Sequence, residues 1–278
     1  VANNASLTAT RFFFCAANAS GSTASGTVNQ SGGSVTETST SLGDFVIGGR
    51  SSDSTNGVGI YNLTGGTLTA NAPVAVGDWG SGTINQSGGT FSVASTGGGI
   101  ILQNNPGPGG TYNLNGGTLK TYAIQTGISS SDPAFHSVFD FNGGTLQPTA
   151  DNGDFMQGLY RANVRDAGAI IDTAGFDIAI RQPLLQSEAV GDAGTGGLTK
   201  RGPGRLTLSA VNTYSGGTFL KDGGLTISAD DNLGFLTGDL SISNGATLGS
   251  TANLILSSTR QILLGLPGGE IQPDGSTV

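Results

Sequence analysis

One nine-residue pattern returns five times in the first half of the chain and limits it to a repetitive architecture. It reads TVNQSGGSV from Thr27, IYNLTGGTL from Ile60, TINQSGGTF from Thr83, TYNLNGGTL from Thr111 and VFDFNGGTL from Val138. The first glycines of the pairs, Gly32, Gly65, Gly88, Gly116 and Gly143, are separated by 33, 23, 28 and 27 residues. A recurrence in that range, with one strand-like run and one glycine corner per unit, implies a solenoid whose neighbouring coils share a core that none could build alone. The expected fold is all-β, a parallel β-helix with roughly 23–33 residues per coil.

Within the motif the spacing assigns faces. Val28, Tyr61, Ile84, Tyr112 and Phe139 form one column, and Gln30, Leu63, Gln86, Leu114 and Phe141 form a second two residues on. Period-2 spacing puts both on one strand face, mostly apolar and therefore inward. Gln30 and Gln86 sit awkwardly there: either they form hydrogen-bonded steps, or the faces reverse near the corner. The opposite face carries Asn29, Asn62, Asn85, Asn113 and Asp140, which in-register stacking would turn into an amide ladder. The glycine pairs Gly32-Gly33, Gly65-Gly66, Gly88-Gly89, Gly116-Gly117 and Gly143-Gly144 are read as sharp corners into a following strand, because glycine accepts positive φ without steric cost. A short strand precedes each next motif, as at Phe45-Val46-Ile47, Val74-Ala75-Val76 and Ile100-Ile101-Leu102. Phe12-Phe13-Phe14 has the same offset and reads as a core strand. Loops such as Ser51 to Gly57 and Asn104 to Gly110 absorb the uneven steps.

Composition narrows the function. Charged residues are 11% of the chain, against roughly 25% in ordinary globular domains, yet apolar residues keep returning at strand spacing, which argues against disorder. A net charge of −8 argues against a nucleic-acid or anionic-membrane partner, and no apolar run is long enough to span a bilayer. Cys15 and His136 each occur singly, so thiolate clusters, an internal disulfide and paired-histidine zinc sites are absent. Cys15 reads as a small buried hydrophobe, with an intersubunit disulfide as the alternative. No residue pattern asks for a cofactor. The chain begins at Val1 without an initiator Met and ends near a corner-like Gly268-Gly269-Glu270-Ile271. It therefore reads as a processed or excised piece, continuing in a longer polypeptide or against another copy.

The second half uses a different repeat. It contains Gly196-Gly197-Leu198-Thr199-Lys200, Gly202-Pro203-Gly204, Leu206-Thr207-Leu208, Asn212-Thr213-Tyr214-Ser215-Gly216-Gly217-Thr218 and Gly223-Gly224-Leu225. Over about 30 residues this resembles the autotransporter-associated β-strand repeat of bacterial passenger domains. Arg205, where the repeat usually has Thr or another small residue, and Ala210-Val211 depart from it. The resemblance implies a right-handed parallel β-helix, export, and a surface or extracellular location, and it brings no catalytic residues. The chain accordingly divides into motif coils over 1–150, transition coils over 151–195 and autotransporter-type coils over 196–278.

The transition stretch concentrates Asp151, Asp154, Tyr160, Arg161, Arg165, Asp166, Asp172 and Asp177. Asp172 and Asp177 are the best candidates for a paired-carboxylate glycosidase site. A solvated transition between two repeats is the favoured reading, and the chain is read as no enzyme. Asp230-Asp231-Asn232 near Asp239 offers at most an adventitious calcium site. Asn4, Asn18, Asn29, Asn62 and Asn85 open N-x-S/T triplets, three of them by-products of the repeat. Asp78-Trp79 is a possible ligand loop for sugar stacking, with Trp79 folded back over its coil as the alternative. The expected role is an extracellular structural building block whose partners are copies of itself or the rest of a longer solenoid. An adhesin that binds cell-surface glycans is the rival, and a polysaccharide-active enzyme is the remote third.

Overall fold

The structure is a computed structural model and describes residues 4–14, 24–50, 57–94, 97–128 and 136–272. Cys15, Asn18 and Ser51 to Asn56, named above, lie outside the described residues. The chain forms two compact units, Val1–Asp140 with Gln157–Arg161, and Phe141–Met156 with Ala162–Val278.

In the first unit, long and short strands alternate along the chain. They are β1 (Ser6–Ala9), β2 (Phe12–Phe14), β3 (Ser25–Glu37), β4 (Phe45–Ile47), β5 (Val58–Ala70), β6 (Val74–Val76), β7 (Ser81–Val93), β8 (Ile100–Leu102), β9 (Gly110–Thr121) and β10 (Ile124–Gln125). The odd strands pair in the order β1-β3-β5-β7-β9 and the even ones in the order β2-β4-β6-β8-β10, so each coil contributes one rung to each of two parallel sheets. The register follows the motif: Tyr61 pairs with Val28 and Ile84, and Asn62 with Asn29 and Asn85. β11 (Ser137–Phe141) carries the fifth motif.

This is a parallel β-solenoid, and its core lies between the two sheets. Tyr61, Leu63, Ile84, Tyr112, Leu114 and Phe139 are fully buried. Aromatic rings link successive coils, with centroids 5.6 Å apart for Phe14–Tyr61, 6.2 Å for Phe45–Phe91 and 5.2 Å for Tyr112–Phe139. β4, β6 and β8 are buried on both faces, which is why they read as continuous apolar runs without alternation. Of the aromatic triplet, Phe12 packs inward against Phe45, while Phe13 lies under the Arg50 guanidinium at 4.1 Å.

The glycine pairs act differently from simple corners. In the first four motifs the strand runs through the pair, as in the thirteen-residue β5 and β7. The two glycines have separate tasks. A Cβ on Gly88 would lie 2.3 Å from the Thr64 carbonyl oxygen one coil back, so this position permits rung stacking. Gly89 has φ +66° and carries the bend itself. Because every stacked strand bends at the same place, the ladder continues on either side. In the fifth motif the bend falls on Gly143 (φ +92°), and the strand does break there, before β12 (Thr145–Pro148).

The second unit continues with β13 (Asn152–Gln157), β14 (Arg161–Val164), β15 (Ala169–Asp172), β16 (Ile178–Ile180), β17 (Leu184–Gln186), β18 (Leu198–Arg201), β19 (Arg205–Leu208), β20 (Thr218–Leu220), β21 (Gly224–Ile227), β22 (Leu240–Ile242), β23 (Thr247–Ser250), β24 (Ile262–Leu264) and β25 (Glu270–Gln272). Its sheets run β12-β15-β18-β20-β22-β24 and β13-β16-β19-β21-β23-β25, again parallel, with β14-β17 as an additional pair. Here strands are three to six residues long, and those such as β14, β19, β21 and β23 alternate buried and half-exposed positions, giving one inner and one outer face, whereas β13 does not alternate and β24 is exposed throughout. Gly217 (φ +85°) supplies the bend before β20, and a Cβ on Gly216 would lie 2.1 Å from the Thr195 carbonyl oxygen. No helix among the described residues is long and apolar enough to cross a membrane.

Candidate functional site

The polar residues that the repeat singles out are built into contacts between successive coils. Asn62 Nδ2 donates to Asn29 Oδ1 (2.8 Å), Asn85 to Asn62 (2.8 Å) and Asn113 to Asn85 (2.7 Å), each amide acting as donor to one coil and acceptor to the next. Asp140 holds the corresponding place in β11 and is half-buried. The Nδ2 atoms of Asn62 and Asn85 are occupied by this ladder, so attaching a glycan there would break it.

Gln30 and Gln86 resolve into a second device, which runs diagonally between columns. Both are fully buried. The Tyr61 hydroxyl donates to Gln30 Oε1 at 2.6 Å, while Gln30 Nε2 donates to the Thr67 carbonyl at 2.9 Å. Tyr112 and Gln86 repeat the arrangement, at 2.5 Å to Gln86 Oε1 and 3.0 Å from Gln86 Nε2 to the Thr118 carbonyl. Burial holds the Tyr112 phenol well above its ordinary pKa, so it remains a donor. The sequence signal is an alternation: a coil with Gln in the second column is followed by a coil with Tyr in the first. Tyr112→Phe leaves Gln86 Oε1 without its donor and should cost about 1–3 kcal/mol, whereas Tyr112→Phe with Gln86→Leu should recover part of that loss, since Leu63 and Leu114 already fill this position in adjacent coils. Urea unfolding of the two singles and the double measures this; strict additivity would show that the two side chains are not coupled.

Carboxylates complete the set by capping backbone N–H groups one coil away. Buried Glu37 accepts from the amides of Asn71 (3.1 Å) and Ala72 (3.0 Å). Asp78 differs in its donors: its Oδ1 takes the side-chain amides of Asn104 (2.8 Å) and Asn105 (2.6 Å), and the residue is 5% exposed. Trp79 is half-buried, and its backbone N–H donates to the Gly49 carbonyl. His136 is exposed and sets its ring edge-on to Tyr160, 5.2 Å between centroids.

The charged stretch of the second unit follows the same rule. Asp151 Oδ1 accepts from the Asp177 amide and Asp177 Oδ1 from the Arg205 amide, both at 2.8 Å. Asp172 accepts from Gln147 Nε2 at 3.0 Å and the Ala174 amide at 2.9 Å. Asp192 is gripped by Arg165 at 2.8 and 3.0 Å and by the Ser187 hydroxyl, contacts that hold its pKa below the usual carboxylate range. Asp166 is shifted the same way by the amides of Ala193 and Thr195. Asp172 and Asp177 therefore serve backbone groups at separate turns. In the supposed calcium loop, Asp230 is engaged by Arg260 at 2.8 Å, and no trio of His, Cys, Asp or Glu side chains among the described residues is placed to hold a metal.

Two buried cations were not singled out for any role by the sequence pattern. Lys200 Nζ donates to the carbonyls of Arg201 (3.1 Å), Gly202 (2.5 Å) and Asp222 (3.0 Å). Arg260 binds Asp230 and the carbonyl of Gly238 (2.5 Å). Lys200 is the last residue of the Leu-Thr-Lys element quoted above, and residues 198–227, which begin with that element, match the passenger-associated-transport-repeat family model. Over those thirty residues the chain is similar to a passenger-associated transport repeat. An 80-residue stretch, 29% of the chain, is 41% identical to the adhesin BmaC autotransporter of Brucella suis biovar 1 (strain 1330), of whose length it spans 2%. No solved structure matches.

Proposed function

We propose that this chain is a structural stretch of an exported bacterial passenger, a solenoid displayed at the cell surface that grows end to end with further coils or further copies. The observation that carries this reading is the assignment of its conspicuous polar side chains to neighbouring coils: the Asn29–Asn62–Asn85–Asn113 ladder, the Gln–Tyr pairs and the Asp caps. Such contacts add with each coil and lend themselves to a heterologous, non-closing association. The passenger repeat at 198–227 supports export and a surface location. No catalytic activity is proposed, because the carboxylates nominated for it are bound to backbone amides and to Gln147.

Negative-stain electron microscopy of the purified chain across a concentration series tests the proposal. Particles that lengthen with concentration at fixed width are the expected result. Particles of one length at every concentration would overturn end-to-end growth. A second reading, a display module of an adhesin, is favoured by the likeness to the Brucella adhesin and would then take its place.

A further inference from the structure

The outer face of the β16-β19-β21-β23-β25 sheet holds a shallow trough of about 560 Å³ that none of the coil-to-coil contacts explains. Leu206, Leu225 and Leu248 of these strands point into the core and are buried. Outward, the register sets two columns side by side: Arg205, Gly224, Thr247 and Glu270 in one, and Ala179, Thr207, Thr226, Gly249 and Gln272 in the other. Asp177 and Asp222 border the trough.

Gly224 and Gly249 have no evident structural reason to be glycine. Neither adopts positive φ. A Cβ on Gly224 would lie 3.7 Å from the Arg205 side chain, and one on Gly249 3.6 Å from Thr226 Oγ1, both ordinary van der Waals distances. Nearby Gly204 is a contrast, since its Cβ would lie 2.0 Å from the Phe176 carbonyl oxygen. Glycine inside a strand weakens the sheet, and where neither φ nor packing demands it, it marks a place that something else approaches closely. The two glycines lie diagonally across adjacent columns and leave bare backbone between Arg205, Thr226 and Thr247.

The chemistry of the lining selects the ligand. Strands β19, β21 and β23 are hydrogen-bonded on both sides, so a peptide cannot add as a further strand there. Neither column presents a large apolar side chain, so the floor offers no hydrophobic anchor. Asp177 and Asp222 outweigh Arg205, Glu270 extends the same sign, and the chain carries −8 overall, which disfavours polyanions. What remains is a row of hydroxyls, an amide, a guanidinium and the second oxygens of Asp177 and Asp222, whose Oδ1 atoms accept the Arg205 and Gly223 amides, a set of donors and acceptors of the kind that vicinal hydroxyl groups take. We propose that this trough binds a neutral glycan strand, its rings lying over Gly224 and Gly249. The proposal goes beyond the structural role and does not depend on it.

Isothermal titration calorimetry with cellohexaose, xylohexaose, maltohexaose and mannohexaose, and with oligogalacturonate as the acidic comparator, tests it on the full chain and on the Gly249→Thr, Gly224→Thr and Arg205→Thr variants. At least one neutral hexasaccharide should bind, oligogalacturonate should not, and each glycine variant should keep or raise the melting temperature while weakening binding by about tenfold or more. Arg205→Thr should weaken binding with the fold unchanged. Absence of binding by all four neutral sugars at millimolar concentration overturns the proposal, as does a Gly249→Thr variant that binds like the parent. Preference for oligogalacturonate overturns the neutral-ligand assignment. Loss of stability in both glycine variants would return these glycines to the fold.

Discussion

Replacing Arg260 with Met should destabilise the second unit by about 3–5 kcal/mol, because removing one partner of a buried ion pair leaves the other charge uncompensated. The guanidinium is fully buried and fills its donor positions: Nε and Nη2 fork onto Asp230 at 2.8 and 3.2 Å, and Nη1 donates to the Gly238 carbonyl at 2.5 Å. It thereby clamps a 3-10 turn, Asp230–Leu233, that itself anchors earlier coils. From that turn, Asn232 Nδ2 reaches the Ala210 carbonyl at 2.9 Å. Asn212 Nδ2 donates to the Asn232 carbonyl at 2.6 Å while its Oδ1 accepts the Leu184 amide at 2.8 Å. Loosening Arg260 thus releases a relay that ends two coils away. Arg260→Lys should fall between parent and Met, keeping the charge but losing the planar fork. Urea midpoints for the three proteins decide the matter, and an Arg260→Met variant within about 0.5 kcal/mol of the parent would show the cluster to be solvated and dispensable.

The contrast between what the repeat disclosed and what it concealed has a physical basis. A side chain that contacts its own equivalent one coil away leaves a column in the sequence, and the amides of Asn29, Asn62, Asn85 and Asn113 form such a column. The same holds for the inward apolar columns, which specify two stacked sheets and hence the solenoid. Gln30 and Gln86 were harder, because their partners are tyrosines in the other column of the next coil. Only the alternation of Gln with a later Tyr carries that information.

Backbone partners leave no mark at all. Asp177 caps the Arg205 amide and Glu37 caps Asn71 and Ala72, yet any residue type has an amide to cap, so no pattern ties the pair together. That is why the acidic stretch around Asp172 and Asp177 was legible in sequence only as a concentration of charge, and its bonds to the Ala174 and Arg205 amides were not. Asp78, read as part of a possible ligand loop, has side-chain partners instead, the amides of Asn104 and Asn105, but they occur in one coil only and so form no column. The glycine pairs were legible as bends but not as bends inside a single strand whose pairing lapses at the glycines and resumes beyond them. Continuity there depends on every neighbour bending at the same residue, which is a property of the stack.

Lys200 offers the sharpest test of a buried cation in the repeat, because its effect on stability has a direction in pH. Burial pushes its ammonium down to about 8 from an ordinary 10.5, against the pull of Asp222, Asp172 and Asp177. Between these two values the unfolded chain still holds the proton while the folded chain has released it. The unfolded state therefore binds more protons in that window, and stability rises with pH from about 8 toward 10, whereas below 8 Lys200 contributes no slope. Tyr61, Tyr112 and Tyr214 impose the opposite trend higher up. Burial raises their pKa values, so above pH 10 the unfolded chain ionises first and stability falls. A maximum near pH 10 is the expected profile. Lys200→Met should abolish the rise between pH 8 and 10 while leaving the fall above it. At pH 7 it should also cost about 2–3 kcal/mol, since the carbonyls of Arg201, Gly202 and Asp222 lose their shared donor inside the corner. Guanidinium unfolding of parent and variant at half-unit steps from pH 7 to 10.5 separates the two effects. Parallel profiles for the two proteins would mean that the ammonium is effectively in water, and that the corner is held by its glycines rather than by the cation beneath it.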